Sequence, residues 1–220
     1  MFQKYLSGKF FENFQEKNRT FSDAYGCTPL HYAAIVGRDE SMDPLLDLAQ
    51  NESSQFMFSI IEKTDLRGRT IFHYACYTNA DDIMVNLCQR LDKIRSDEAK
   101  TQSSKTCPRL RKCLLMPDRD GLTPLHFAVK RNHINLARQI LSICPETVNS
   151  YDKRGLTPFV LAILIGADQV THEIKFKALI FFLDCRFGFQ SSQFKVGFPF
   201  RHEWKVFHGG GNCGPCKTAQ

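Results

Sequence analysis

Long apolar runs are missing from this sequence. A membrane-spanning helix requires roughly 18 consecutive apolar residues, and the longest apolar segments, 159–165 and 178–183, are far shorter. Residues 1–21 mix lysines and glutamates with their aromatic residues, so they lack the apolar core of a secretory signal. We therefore expect a cytoplasmic chain, with the nucleus as the alternative, that has no membrane span of its own.

Groupings typical of enzymes are missing as well. No Ser–His–Asp set, phosphate-binding glycine loop or pair of carboxylates stands out. We predict that the chain is not an enzyme and takes neither a cofactor nor a small-molecule substrate. Nucleic acid is a poor candidate partner, because the basic residues are not interleaved with aromatic side chains on which bases could stack.

Cysteine, in contrast, is plentiful. The nine cysteines are an odd number and are scattered along the chain, which does not predict a disulfide framework. Several occupy positions where a small apolar residue would serve. Since no secretory signal is visible, we interpret them as reduced thiols.

One pattern, D-x-x-G-x-T-P-L-H-x-A, occurs four times in register. Its glycine suits a turn with positive φ, its threonine is a good helix N-cap, and its proline suits the first helical position. Two copies depart from the pattern, because Ile71 replaces the proline and Val160 replaces the histidine. The aspartates that open the copies are Asp23, Asp65, Asp118 and Asp152.

The repeated order resembles the ankyrin-repeat family, whose repeat is about 33 residues long. The resemblance implies an all-α solenoid of stacked antiparallel helix pairs with β-hairpin-like turns. It also implies that the recurring histidine stabilises the turn and the contact between repeats. The residues to which we assign this structural role are Thr28, His31, Thr70, His73, Thr123, His126 and Thr157.

The spacing of the copies sets the domain organisation. Successive repeat threonines lie 42, 53 and 34 residues apart, so only the last interval is close to the family's period. We predict repeats over residues 23–64, 65–117, 118–151 and 152–184, with inserts near 51–63 and 89–116. Pro44 falls inside the expected second helix of the first repeat, which should therefore start late or be kinked.

Both ends depart from the pattern. Phe2, Leu6, Phe10 and Phe14 recur every four residues, so we predict that residues 1–22 form an N-terminal helical cap. Residues 185–220 are an aromatic and glycine-rich tail. This tail either folds back over the last repeat, is disordered, or marks a chain truncated from a longer array.

The tail also contains candidate metal ligands and a Cys-Gly-Pro-Cys sequence similar to a thioredoxin active site. A redox role requires a thiol pKa lowered by a following helix, and the chain ends four residues after the second cysteine. We predict no metal site, with a weak zinc candidate formed by His202, His208, Cys213 and Cys216.

The family resemblance implies a protein partner bound by the concave face and the turn tips. The predicted contact residues are Tyr25, Leu66, Arg67, Arg119, Asp120, Lys153 and Arg154. The helix faces near Tyr32, Tyr74, Phe127 and Lys130 could extend this surface.

A second candidate surface is the basic insert, whose residues 89–116 carry eight basic and three acidic side chains. It either attracts an acidic partner, nucleic acid or an import receptor, or is a solvated, flexible loop. Its basic residues are Arg90, Lys93, Arg95, Lys100, Lys105, Arg109, Arg111 and Lys112.

We therefore predict a protein–protein interaction module in signalling: an adaptor, scaffold or inhibitor. The first alternative is a cytosolic ankyrin segment of a larger protein, such as a TRP-type ion channel or a ligase adaptor. The second is a zinc or thiol-redox role of the Cys-x-x-Cys tail. Because fold does not determine the partner, the sequence leaves its identity open.

Overall fold

The computed structural model describes residues 22–37, 42–98 and 107–187, with the backbone alone for 95–98 and 178–187. Several predictions fall on other residues. The N-terminal cap, the zinc and redox candidates (His202, His208, Cys213 and Cys216), and Lys100 and Lys105 of the basic insert lie outside the described residues. The side chain of Arg95 is outside them too.

Within these ranges the chain forms ten α-helices and no strand, which confirms the predicted all-α class. A short 3-10 helix, Pro145–Asn149, lies between the eighth and ninth helices. In chain order the helices are α1 (Pro29–Val36), α2 (Asp43–Glu52), α3 (Ser54–Ile61), α4 (Ile71–Thr78), α5 (Asp81–Glu98), α6 (Pro108–Leu115), α7 (Pro124–Lys130), α8 (Ile134–Ile143), α9 (Pro158–Leu164) and α10 (Asp168–Phe187). None of them is long and apolar enough to cross a bilayer.

The first helix of each repeat (α1, α4, α7 and α9) begins directly after its repeat threonine. Thr28 has extended backbone angles, and its hydroxyl accepts from the backbone N–H of His31, which satisfies one free donor of the first turn. Helix α4 ends at Asn79 in the left-handed conformation, with φ of 59°. Asparagine adopts this conformation more readily than other non-glycine residues.

Pro44 does not kink the second helix of the first repeat. Helix α2 begins at Asp43, so Pro44 lies in the first turn, where its missing N–H removes no intrahelical bond. Of the two expectations for this helix, a late start is the one observed.

Both inserts are at least partly helical. The first contributes α3, and the second lengthens α5 to Glu98 and then contributes α6. Helix α6 buries Leu110, Cys113 and Leu114 against the rest of the repeats. The interpretation of the basic insert as a solvated, flexible loop is therefore wrong for residues 108–115, because these residues form a helix with a buried apolar face.

The core runs through the stack along the first helices. Helices α1, α4, α7 and α9 pack in sequence, each against the next. Small residues at the contact allow the helices to approach closely, and they are almost fully buried: Ala33, Ala34, Ala75, Ala128 and Ala162. Larger apolar side chains from the second helices fill the remaining space, each contributing about 1.5–3 kcal/mol when fully buried.

Candidate protein-binding surface

Each repeat opens with a turn organised by its aspartate. In the second repeat, Asp65 Oδ1 accepts from the backbone N–H groups of Arg67 and Arg69, both at 2.8 Å. The aspartates of the other three repeats make the same pair of bonds. This arrangement fixes the turn without a strand.

Successive turns are joined to one another by their backbones. The carbonyl of Tyr25 accepts from the N–H of Leu66 at 2.9 Å. The same bond links Arg67 to Arg119 at 2.7 Å and Asp120 to Lys153 at 2.9 Å. The turns therefore form a row with fixed spacing. The predicted contact residues are part of this row.

The repeat histidines connect each first helix to the next turn. His73 Nε2 lies 3.0 Å from the carbonyl oxygen of Leu122, while its Nδ1 lies 3.0 Å from the backbone nitrogen of Thr70. Because a carbonyl only accepts and a backbone N–H only donates, the proton is on Nε2 and the ring is neutral. His31 and His126 make the equivalent bonds to Arg69 and Leu156.

Burial keeps these rings neutral. Desolvation lowers the pKa of His73 to about 4, and it lowers the pKa of His31 and His126 in the same direction. The backbone bond of each ring opposes this shift but does not cancel it. The three histidines thus act as structural hydrogen-bond donors rather than as general bases near neutral pH.

The predicted contact residues differ in how free their side chains are. Tyr25 is 72% exposed and Leu66 is 56% exposed, and both are large apolar groups on the surface. Arg67, Arg119, Asp120 and Lys153 are also exposed. Arg154 differs, because its guanidinium bonds Asp152 Oδ2 at 2.8 Å within the same turn. It is the least available of the predicted contact residues.

Two of the helix positions proposed as extensions of this surface are already engaged. The Tyr74 hydroxyl donates to Asp65 Oδ2 at 2.6 Å, and the Tyr32 hydroxyl donates to Asp23 Oδ2. Burial, and then the bond to Asp65, raise the pKa of Tyr74 well above its usual range. Phe127 is buried, whereas Lys130 is exposed.

Acids of the same chain pair with four of the five basic residues of the insert whose side chains the structure describes. Arg90 bonds Asp43 at 2.8 Å and Asp47 at 2.6 Å. Glu62 receives Arg109 at 3.5 Å and Lys112 at 2.9 Å. In addition, Arg111 is paired with Glu146, and the Arg109 guanidinium lies 4.4 Å from the ring centroid of Phe58. Arg109 and Lys112 thus join the second insert to the first, while Arg90 and Arg111 join it to α2 and to the 3-10 helix. Lys93 is exposed near the end of the described part of α5.

Between the turns and first helices of the second and third repeats there is a pocket of about 410 Å³. It contains three side chains that the sequence analysis missed: Arg69, Tyr77 and Arg131. Arg69 precedes the repeat threonine and Arg131 follows the first helix, so each occupies a fixed repeat position. A comparison of charge at these two positions across the four copies could have found the two arginines.

The described cysteines are unsuited to redox or metal chemistry. The six cysteines whose side chains the structure describes are free thiols, and five of them are buried. Desolvation raises the pKa of Cys88, Cys113 and Cys144 to about 12, which disfavours the thiolate. No cluster of potential metal ligands occurs in the part of the chain that the structure describes.

Family comparisons agree with this architecture. A model described as "Ankyrin repeats (3 copies)" matches residues 45–142, and one described as "Ankyrin repeat" matches residues 25–51. The chain belongs to the ankyrin-repeat family. Ankyrin repeats are non-catalytic modules that mediate protein–protein interaction, so the rigid row of turns and the first helices beside it form the candidate binding surface.

Three curated proteins with similar sequences have different names. The chain is 28% identical to "Ankyrin repeat protein OPG189" of Variola virus, covering 67% of this chain and 23% of the relative. It is 28% identical to "NF-kappa-B inhibitor delta" of Mus musculus (68% and 37%). It is 36% identical to "Calmodulin-binding transcription activator homolog 1" of Caenorhabditis elegans (36% and 7%). The chain therefore spans well under half the length of each.

Proposed function

We propose that this ankyrin-repeat chain works without catalysis, as an adaptor, scaffold or inhibitor that covers a surface of another protein. The row of turns would carry the contact, with Tyr25, Leu66, Arg67 and Arg119 at its tips. The observation that supports this most directly is the pair of large apolar side chains, Tyr25 and Leu66, exposed on adjacent turns. Tyrosine and arginine are the residue types that dominate binding energy at protein interfaces.

The rigidity of the turns supports the proposal as well. Each turn is held by two bonds to its aspartate, and one backbone bond joins each of the first three turns to the next. A surface that is already ordered loses little conformational entropy on binding. Exposed groups on such a row therefore cost less to immobilise than the same groups on a mobile loop.

The relatives favour an inhibitory or regulatory version of this function. One is named as an inhibitor and another as a transcription activator homolog. A protein that regulates transcription factors would act in the cytoplasm or the nucleus. This is the localisation that we propose.

A second candidate is an ankyrin segment of a larger cytosolic assembly, such as a TRP-type ion channel or a ligase adaptor. The observation that favours it is the edge of the fourth repeat, where Ile163 and Leu164 of α9 are exposed. Apolar side chains in this position would be covered by a further repeat or domain.

The test replaces Tyr25, Arg67 and Arg119 together with alanine, in the full chain. Partners are captured from cell extract and quantified by mass spectrometry. We expect capture to fall by roughly tenfold or more, because truncation of a hot-spot residue costs about 2 kcal/mol or more, and hot spots are enriched in tyrosine and arginine. The melting temperature should stay close to that of the unsubstituted chain, since these three side chains are exposed.

The matched control is Lys93→Ala, Arg138→Ala and Phe176→Ala, which removes two cations and one aromatic ring from exposed positions of the second helices. Capture should be unchanged in this variant. If the control loses its partner while the turn-tip variant retains it, the turns are not the binding surface.

A further inference from the structure

Part of the positive charge that is free for a partner lies at the turns of the second and third repeats, outside the basic insert. Arg90, Arg109, Arg111 and Lys112 are all paired with acids of this chain. By contrast, no ion pair forms between a described residue and the exposed cations beside the turns of the second and third repeats. These cations are Arg67, Arg119, Lys130 and Arg131.

The pocket between these repeats concentrates that charge. Its polar lining includes Arg69, Lys130 and Arg131, against one carboxylate, Asp120. The lining therefore has an excess of two positive charges. Asp118 pairs with Arg69 at 3.4 Å, and its side chain is buried in the same turn that contains Asp120.

Aromatic rings lie against both arginines of the pocket. The Arg131 guanidinium lies 3.9 Å from the ring centroid of Tyr77, and that of Arg69 lies 5.1 Å from the ring centroid of Phe127. Stacking fixes the plane of a guanidinium and leaves its N–H edges available for a carboxylate. Tyr77 is 47% exposed, so it also offers apolar surface at the pocket mouth.

We propose that this pocket binds an acidic peptide segment of the partner, a specialisation that rests on the proposed function. One carboxylate lies between Arg131 and Lys130, and a neighbouring apolar side chain packs on Tyr77. Arg69 is already paired with Asp118, so it attracts the carboxylate electrostatically without bonding to it directly. The Asp120 carboxylate repels acidic side chains, so the pocket accommodates few of them.

The test selects peptides of about twelve residues from a random displayed library on the full chain, and then measures them as fluorescein conjugates by anisotropy. We expect an excess of Asp and Glu among the selected peptides. Lys130→Ala with Arg131→Ala should weaken their binding by ~tenfold or more. Raising the salt from about 50 to about 500 mM should weaken it too.

Two further variants separate the pocket from general charge. Asp120→Asn removes the opposing carboxylate and should tighten binding, by ~threefold. Lys112→Ala with Arg138→Ala removes the same two charges outside the pocket and should leave binding unchanged. Because the Asp120 variant must bind more tightly than the original chain, a folding defect cannot imitate its effect.

The outcomes distinguish this inference from the proposed function. Peptides without acidic excess, or peptides that tolerate the pocket substitutions but not the turn-tip ones, overturn the pocket assignment and leave the proposed function standing. Peptides that tolerate both sets overturn both. A single-stranded oligonucleotide that binds more tightly than any peptide, and depends on the same two residues, overturns the assignment in favour of nucleic acid.

Discussion

The junctions between repeats differ from the edge of the fourth repeat in the residue at the end of the first helical turn. At each internal junction a neutral histidine donates to a carbonyl of the next turn. At the fourth repeat Val160 stands in that position and is 39% exposed. Each repeat thus completes the hydrogen bonding of the one before it, and the fourth replaces this polar link by apolar surface.

The comparison shows where stability resides in this chain. In a repeat protein it is divided between each repeat and its contacts with neighbours. The histidine bonds and the turn-to-turn bonds both belong to the contacts. Equivalent substitutions at an internal junction and at the edge should therefore lower the free energy of unfolding by different amounts. The difference measures the contribution of the contact between neighbouring repeats.

The largest expected effect is on the pH dependence of stability. Burial lowers the pKa of His73 from 6.5 to about 4, so below pH 6.5 the unfolded chain binds a proton that the folded chain does not. This contribution is complete above the unfolded pKa and is lost as the pH falls toward the folded one. From His73 alone we expect a loss of about 2 kcal/mol at about pH 5, with His31 and His126 adding to it.

Denaturant unfolding at a series of pH values measures this effect. Carboxylates with lowered pKa, such as Asp23 and Asp152, act only at lower pH and do not obscure it. The variant Val160→His adds an imidazole at the edge, where no described turn accepts its N–H. The unfolding free energy of this variant should change with pH in parallel with that of the unsubstituted chain. A steeper profile would mean that burial between repeats is not the cause.

Glycine-to-alanine substitution at two equivalent turns should separate strain from contact. Gly121 and Gly155 have nearly the same φ, 79° and 76°. A Cβ on Gly121 would lie 2.8 Å from the Lys153 nitrogen, whereas one on Gly155 would meet nothing within 4 Å. We expect Gly155→Ala to cost about 1 kcal/mol from the left-handed conformation alone, and Gly121→Ala about 3 kcal/mol.

Thermal or denaturant unfolding of the two variants measures that difference. The difference between the two free-energy costs reports how closely the fourth turn approaches the third, because both variants have the same left-handed backbone strain. Equal costs would contradict the observed contact between the third and fourth turns.

The smallest expected difference concerns the two threonine caps. Thr123 is buried, and its hydroxyl lies 2.9 Å from His126 Nδ1. The Thr157 hydroxyl accepts from the backbone N–H of Val160 at 3.3 Å, and Val160 offers no ring nitrogen like that of His126. We expect Thr123→Ala to cost roughly 1–2 kcal/mol and Thr157→Ala about 0.5 kcal/mol. A larger cost for Thr157 would show that the histidine does not strengthen the cap.

The sequence predicts the turns and helix starts well because the interactions that form them are local. Asp65 bonds groups two and four residues ahead, and Thr70 bonds a ring three residues ahead. A pattern repeated along the chain contains all of these partners. The family and the all-α class follow directly from it.

The charge of the surface could not be predicted in this way. Glu62 lies 47 and 50 residues from the two cations that it pairs. Only the packing of α3 near α6 brings them together. A count of charges therefore assigned the free positive surface to the basic insert, while the pocket depends on Tyr77 and Arg131, which are 54 positions apart in the sequence.

The buried thiols have a consequence for experiments on this chain. Cys27, Cys76 and Cys144 lie in the first, second and third repeats and are almost completely covered. A thiol reagent can reach them only when the surrounding repeat opens. The rates at which they are alkylated at neutral pH therefore report the local opening of each repeat, without any label having to be introduced. If opening starts at one end of the stack, the order of modification identifies which end.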